Sequence, residues 1–546
     1  MLKRFGGRET AATRAVFFLI CVMFLLSVSS MYKKSVTYDE RAGVSFGEAA
    51  LKGAIIEPSM QRLPITGLNC MPEYILKKFT IRLSPSVSIF VGRLATVFAS
   101  LILSVFVFMW AKARYGIRAG IFSLTLCVFC PTILAFSNII NGDIYCAALM
   151  FIATYCFIQY LNRRNLACFF ISAVVTGAAQ ITKQTALLLF PIFIILWFFH
   201  RPHVKSNGVS KKNLLDLARR SGIFLFRFAL YVVIVLLIIN AAYAFQKTMR
   251  PLGETPTEIQ KYSRQLNEIP HKGKAGSALD AIPIPLPLAY VKALGTGMII
   301  NETGRGHYPI YLFGKLSERG WWYYFPAAIF LKYPLSLFFM IFISILLGIN
   351  RKKIGSGNDT DLLVPIIIIF SFFTFFTTCQ IGIRYLLPIL PFLYVFVGKI
   401  AAYEPGKRAL PYRGSIYVLL AWYIASSLSY YPHYISYFNE LIGDRINMYK
   451  YLADSNVDWG QDQYYLEEYI KKNKDKNIKV MPMEPTDGII VVNINSFVGA
   501  CNSNKYRWLR EHYKPVGRVA YSWLIFDIPK SSLLIGAIPQ GNTLRE

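Results

Sequence analysis

Two adjacent carboxylates, Asp39 and Glu40, stand in "VTYDERAGV", a few residues beyond the first long apolar run of the chain. A separate acid, Asp143, follows a glycine in "SNIINGDIY", close to Asn138 and Asn141. Single cations stand in "ITKQT" (Lys183) and "QIGIRYLLP" (Arg384), and "NETGRGHYP" adds Glu302, Arg305 and His307. Carboxylates set against cations suit one pair of tasks: taking a proton from a hydroxyl, and neutralising an anionic leaving group. A phosphate leaving group asks for Lys or Arg. Moving a sugar from a lipid phosphate to an acceptor hydroxyl needs all of these parts, in a protein embedded where the lipid tail stays. Each residue also has a plainer reading. The acid pair could cap a helix or meet Lys33 and Lys34, and Asp143 could favour a helix N-terminus. Lys183 could snorkel, Arg384 could fix a helix end, and His307 could be a solvated loop residue. The functional reading rests on their convergence on one side of a membrane.

The elements that must bring them together are legible in the composition. Of 546 residues, 54% are hydrophobic and only 16% charged, against about 25% charged in a soluble domain. Apolar runs recur at 15–31, 88–110, 119–137, 144–161, 166–181, 185–199, 221–245, 324–349, 362–379, 386–402 and 414–431. Each is near the roughly 17–25 residues that a helix needs to cross a bilayer, so the expected fold is a polytopic α-helical membrane protein of about eleven transmembrane helices. The net charge of +29 comes from segments that alternate between these runs. Arg4, Arg14, Lys112, Arg114, Arg163, Arg164, Lys211, Lys212, Arg351, Lys352, Lys407 and Arg413 fall on one side. The opposite loops near 138–143, 182–184 and 380–385 hold only Lys183 and Arg384. The positive-inside rule then puts the N-terminus in the cytoplasm and every candidate outside. Topology accounts for the basicity, and no nucleic-acid partner is expected. The first run, long and lacking a small-residue cleavage site before "MYKKSVTYDE", reads as a retained signal anchor.

Three outside segments are long enough to carry function: 32–87, 246–323 and everything from 432. Within the last, "YYLEEYIKKNKDKN" reads as an amphipathic helix, and "IKVMPM", "GIIVVNIN" and "VAYSWLIFDI" as strands. The expected organisation is a membrane domain over 1–431 and a small extracytoplasmic α/β domain over 432–546. "GWWYYFP" at 320–326 reads first as an interfacial aromatic belt. Most of the nine cysteines lie inside the runs as small apolar fillers. Cys70 and Cys501 both fall outside, where pairing is open.

The acid pair after the first helix, Asp143, "GWWYYFPAAIFLKYPL", "RYLLPILPF" and "YISYFNELIGD…YLADSNVDWGQD" together resemble the bacterial family-39-type glycosyltransferases. These group with the protein O-mannosyltransferases and the lipid A aminoarabinose transferase in the GT-C class. The resemblance spans nearly the whole chain, in order. It implies a GT-C-like fold, a polyprenyl-phosphate sugar donor, and inverting transfer on the non-cytoplasmic face of a bacterial inner membrane. It makes Asp39 the base and Asp143 the second acid, which helps hold the acceptor or a divalent metal. Lys183 and Arg384 become phosphate partners, with Glu40, Arg305 and His307 also counted as substrate-binding candidates. Of the acid pair, Asp39 is the expected base and Glu40 the more structural member. Related chains often carry an acid followed by His-Pro-Pro in the first loop. Here "IIEPSMQRLP" offers only Glu57, without the histidine, so Glu57 and Asp143 are the metal candidates and the metal itself is left open. The rivals are a transporter or flippase of lipid-linked sugars, which predicts charges at the midplane of Gly/Pro-broken helices, and a non-catalytic membrane scaffold. Neither the sugar nor the acceptor (protein, lipid or envelope glycan) is specified by these residues.

Overall fold

The computed structural model describes residues 2–53, 64–200, 211–251, 281–303, 308–349, 354–355, 358–406 and 409–530. Each of the eleven apolar runs is helical over most of its length. Among the described residues, four helices are long and apolar enough to cross a membrane: Thr10–Met31, Pro85–Tyr115, Asp143–Arg163 and Leu225–Ala242. Two bent pairs would bring the number to six, and four shorter apolar helices join them: Leu166–Gln180, Gln184–Phe199, Thr360–Phe375 and Ile389–Ala402. In hydrocarbon a helix is the element that satisfies its own backbone. Large apolar side chains such as Phe98, Phe198, Phe342 and Ile367 point outward, more than half exposed, as lipid-facing side chains do. The chain is an integral membrane protein, with helix Asp143–Arg163 the most enclosed of its long spans.

Two runs that read as single spans are broken, each at a proline. Ile117–Val128 meets Pro131–Ser137 at 59°, and Tyr324–Lys332 meets Leu335–Ile349 at 108°. Proline lacks an N–H and pushes the residue before it out of the helical region. Cys130 (ψ 117°) and Tyr333 (ψ 143°) are accordingly extended. "GWWYYFP" divides at the same corner: Trp322 and Tyr323 are exposed like a belt, while Tyr324 and Phe325 are core.

The three long segments between and after the spans hold structure among their described residues. Residues 32–87 carry helices Tyr38–Leu51 and Gly67–Lys78, and 246–323 carries helix Leu288–Thr303 and the hairpin Ile310–Leu312/Lys315–Ser317. After 430 the chain runs as short 3-10 turns packed on the membrane helices. There Asn439 bonds the carbonyls of Phe330 (2.6 Å) and Tyr333 (2.9 Å), just before the corner at Pro334. The amphipathic helix is Gln463–Lys472. A four-stranded sheet follows in the order Ile478–Val480, Gly488–Asn493, Trp523–Ile528, Gly517–Val519, the first pair parallel and the others antiparallel. "VAYSWLIFDI" is therefore not one strand. It turns at Ala520, which has positive φ, so that Val519 pairs with Trp523. Cys70 and Cys501 are not joined in a disulfide, so the pairing left open above is not made.

Candidate active site

Thr37 precedes helix Tyr38–Leu51, and its N–H donates to Glu40 Oε2 at 2.8 Å, the return arm of a capping arrangement. The same carboxylate, fully buried, accepts Nε and Nη2 of Arg93 at 2.8 Å each and the Ile140 N–H at 3.0 Å. Burial pushes the Glu40 carboxyl up, but Arg93 outweighs it and holds the group below its ordinary value. Arg93 also donates to the carbonyls of Lys34 (2.9 Å) and Ser35 (2.8 Å). One guanidinium thus shapes the whole 34–40 loop. Glu40 does not line the cavity described below. Its bonds are all inward, which corrects its inclusion among the substrate-binding candidates. Lys33 bonds Glu468 and Lys34 bonds Asn138, so neither pairs with the acids as the plainer reading allowed.

One residue earlier, Asp39 projects the other way. Its Oδ2 accepts Arg384 Nη1 at 3.0 Å, and its side chain is 36% exposed. Arg384 Nη1 also lies 3.7 Å from Asp143 Oδ2, while Asp143 Oδ1 receives Lys183 Nζ at 2.6 Å. The order Asp39–Arg384–Asp143–Lys183 is a chain of alternating charge drawn from four separate segments. Burial works against the Arg384 charge, but Asp39 and Asp143 more than compensate and raise its affinity for the proton. The guanidinium lies 4.0 Å from the Trp459 ring centroid, and Lys183 Nζ 3.9 Å from that of Tyr385, cation–π contacts that leave the cations' edges for hydrogen bonding.

"DSNVDWGQD" ties these segments together. The Trp459 carbonyl accepts the Tyr38 N–H (3.0 Å) and the Gln461 carbonyl the Ser35 N–H (2.9 Å), fastening the loop beside Asp39. Asn456 Oδ1 accepts the Ile383 N–H (2.9 Å) and Ser455 Oγ donates to the Ile381 carbonyl (2.5 Å), fastening the loop beside Arg384. Lys332, buried at the Pro334 corner, donates to the Asn456 carbonyl at 2.5 Å. On its far side the strap is held by the sheet: Asn493 donates to Asp458 at 2.6 Å and Asn495 Oδ1 accepts the Asp454 N–H at 2.6 Å. Burial pushes the Asp458 carboxyl up to about 6, against the donors Asn493 and Gly460.

These groups face one cavity of about 1170 Å³, larger than the roughly 300–1,000 Å³ usual for small-molecule sites. Asp39, Asn141, Asp143, Lys183, Arg384, Asp454 and Asp458 form its polar part. Leu187, Leu188, Leu294, Met298, Phe372 and Phe373 form an apolar part. Such a space suits a ligand with a charged head and a hydrocarbon tail.

Glu57, Arg305 and His307 lie outside the described residues. Among the described residues no group of three or more His, Cys, Asp or Glu side chains stands where it could hold a metal ion. Asp143 is occupied by Lys183 and Arg384, so the described side chains do not fit a divalent metal, and no step is derived through one. Sequence reasoning passed over Arg93, Trp459, Asp454, Asp458 and Asn495 as site residues. For Arg93 the signal was available: an arginine inside an apolar run demands a partner.

Residues 70–218 match the family model described as dolichyl-phosphate-mannose-protein mannosyltransferase, which bears out the resemblance over a stretch holding Asp143 and Lys183. No curated protein sequence matches the chain. Among solved structures, the chain is similar to ArnT from Cupriavidus metallidurans bound to undecaprenyl phosphate (12% identity, TM-score 0.45, 94% of this chain and 97% of that one). It is also similar to the S. cerevisiae protein O-mannosyltransferase Pmt1-Pmt2 complex bound to the sugar donor (11% identity, TM-score 0.48, 77% and 90%). A third similar structure is the oligosaccharyltransferase AglB from Archaeoglobus fulgidus in complex with an inhibitory peptide and a dolichol-phosphate (15% identity, TM-score 0.45, 85% and 60%).

Proposed function

We propose that the chain is a membrane glycosyltransferase that moves a sugar from a polyprenyl phosphate to an acceptor hydroxyl. The observation that carries the reading is the single cavity in which Asp39, Asp143, Lys183 and Arg384 share the space with an apolar wall. Asp39, half-open to that cavity, takes the acceptor's proton as its oxygen attacks the anomeric carbon. The bond from that carbon to the phosphate oxygen breaks in the same displacement, and the electron pair leaves with the phosphate. Lys183 and Arg384 neutralise the charge that builds there, while Asp143 holds both cations in register. The tail lies along Leu187, Leu294 and Phe372, which keeps the head group at the membrane edge.

The same reading puts the reaction on the periplasmic face of a bacterial inner membrane. The short loops that carry Asp143, Lys183 and Arg384 are poor in Lys and Arg, and the segments on the opposite side are rich in them. It assigns 1–431 to the catalytic membrane domain and 432–546 to an extracytoplasmic domain whose first residues complete the site. The test is sugar transfer by the purified protein from a polyprenyl-phosphate sugar, comparing wild type with Asp39→Asn. Loss of transfer is expected, and undiminished transfer removes Asp39 as the base. A reporter fused behind Glu546 is expected to be active outside the cytoplasm, and cytoplasmic activity would overturn the orientation.

A further inference from the structure

The turn that leads into helix Asp143–Arg163 ends in Asn141-Gly142-Asp143. Asn141 is 8% exposed and is one of the residues around the cavity. Its Oδ1 accepts the Asp143 N–H at 3.0 Å, and this fixes the amide's direction, since a flip would set NH2 against N–H. The amide nitrogen is shut off from solvent and has no hydrogen-bond partner among the described residues. The turn cannot draw back to find one. A Cβ on Gly142 would stand 2.5 Å from the Thr182 carbonyl oxygen, so the backbone is already pressed against the residue before Lys183. A second buried donor is in the same condition. Arg384 Nε has no partner among the described residues, while its Nη1 serves Asp39 and its face lies on Trp459.

An unmet buried donor is costly, so two beside one cavity call for an acceptor. Beside them stand Lys183 and the N-terminus of a 21-residue helix, and both favour an anion. We infer that Asn141 is a further substrate-binding residue, whose side-chain N–H donates to a non-bridging oxygen of the donor's phosphate next to Arg384 Nε. This rests on the transfer reaction proposed above and adds to it a neutral, pre-oriented donor.

The test measures binding of undecaprenyl phosphate to the full chain in lipid nanodiscs, per folded molecule, for wild type, Asn141→Ala and Asn141→Asp. Both variants are expected to bind about tenfold or more weakly. The alanine adds no charge, so its loss cannot be anion repulsion. The aspartate keeps an oxygen for the Asp143 N–H, so its loss cannot be a broken turn. Wild-type affinity in either variant overturns the inference and leaves the transfer reaction standing. A wild-type chain that does not bind undecaprenyl phosphate overturns the transfer reaction itself, and the inference with it.

Discussion

Helix Pro85–Tyr115 carries an arginine near each end, and the two ends make opposite use of the same chemistry. Arg93 and Arg114 are 21 residues apart, about 31 Å along a helix. Around Arg114 the acids are paired with neighbouring cations and a hydroxyl. Its Nη1 bonds Asp361 at 3.0 Å, Lys399 bonds Asp359 at 2.8 Å, and the Tyr115 hydroxyl donates to Asp359 at 2.9 Å. None of these residues lines the large cavity. At the other end the Arg93–Glu40 pair is buried and fully bonded, but it is only the backing of a second layer. In front of it, Asp39, Asp143, Lys183 and Arg384 touch one another and also face open volume. Ion pairs alone therefore do not mark a site in this molecule. What marks it is charge left facing a space, with a closed pair behind to hold it there.

The comparison can be broken most directly through its acids. Asp39→Asn is expected to lower sugar transfer by roughly 10²–10⁴-fold with thermal unfolding little changed, whereas Asp361→Asn should lower the unfolding temperature and spare turnover per folded molecule. Equal loss of turnover in both variants would erase the distinction between the ends. Next in size is the backing pair. Arg93→Met strands a buried carboxylate and is expected to cost about 3–5 kcal/mol, measured by unfolding in detergent. Pairing it with Glu40→Leu should recover a large part, and no recovery would mean that the carbonyls of Lys34 and Ser35, rather than Glu40, are what Arg93 serves.

A smaller effect tests the strap. Asn456→Ala leaves the Ile383 N–H unmet, a cost of about 1–3 kcal/mol. Since that N–H adjoins Arg384, kcat should fall more than KM rises, and the reverse split would place Asn456 in binding. The smallest effect is electrostatic. The raised Asp458 carboxyl keeps a proton in the folded state that the unfolded chain has already released, so stability falls as pH rises from about 4 through 6. A single group gives a slope of at most about 1.4 kcal/mol per pH unit. Asp458→Asn should flatten that window in unfolding measured against pH, and an unchanged slope would assign it to other groups.

How far the sequence carried this picture depends on the range of the signal. Hydropathy works over windows of some twenty residues, and every apolar run it marks is helical. The breaks stand at Pro131 and Pro334, where a proline argues for them. The loop residues Asp39, Asp143, Lys183 and Arg384 could be placed on one side because alternating spans assign sides without any knowledge of packing. Arg93 was hidden by the same averaging, as one charge inside a run read only for its length. The resemblance made Asp39 the base and Glu40 the more structural member, but residue type and spacing alone do not separate them, since their divergence is set by helix phase and by a partner 53 residues on. Asp454 and Asp458 lie in a motif that was plain, but their bonds run to Asn493 and Asn495, 35 to 41 residues on. Spacing along the chain does not encode that.

The strap also bears on when the protein becomes competent. Asp39 leaves the ribosome early and Arg384 much later, yet both flanking loops are fastened by residues 455–461, which are synthesised after every span. During translation the spans can insert one by one while the charges around the future cavity lack their final register. A chain that stops before Asp454 therefore carries the spans but none of the residues that fasten the loops beside Asp39 and Arg384.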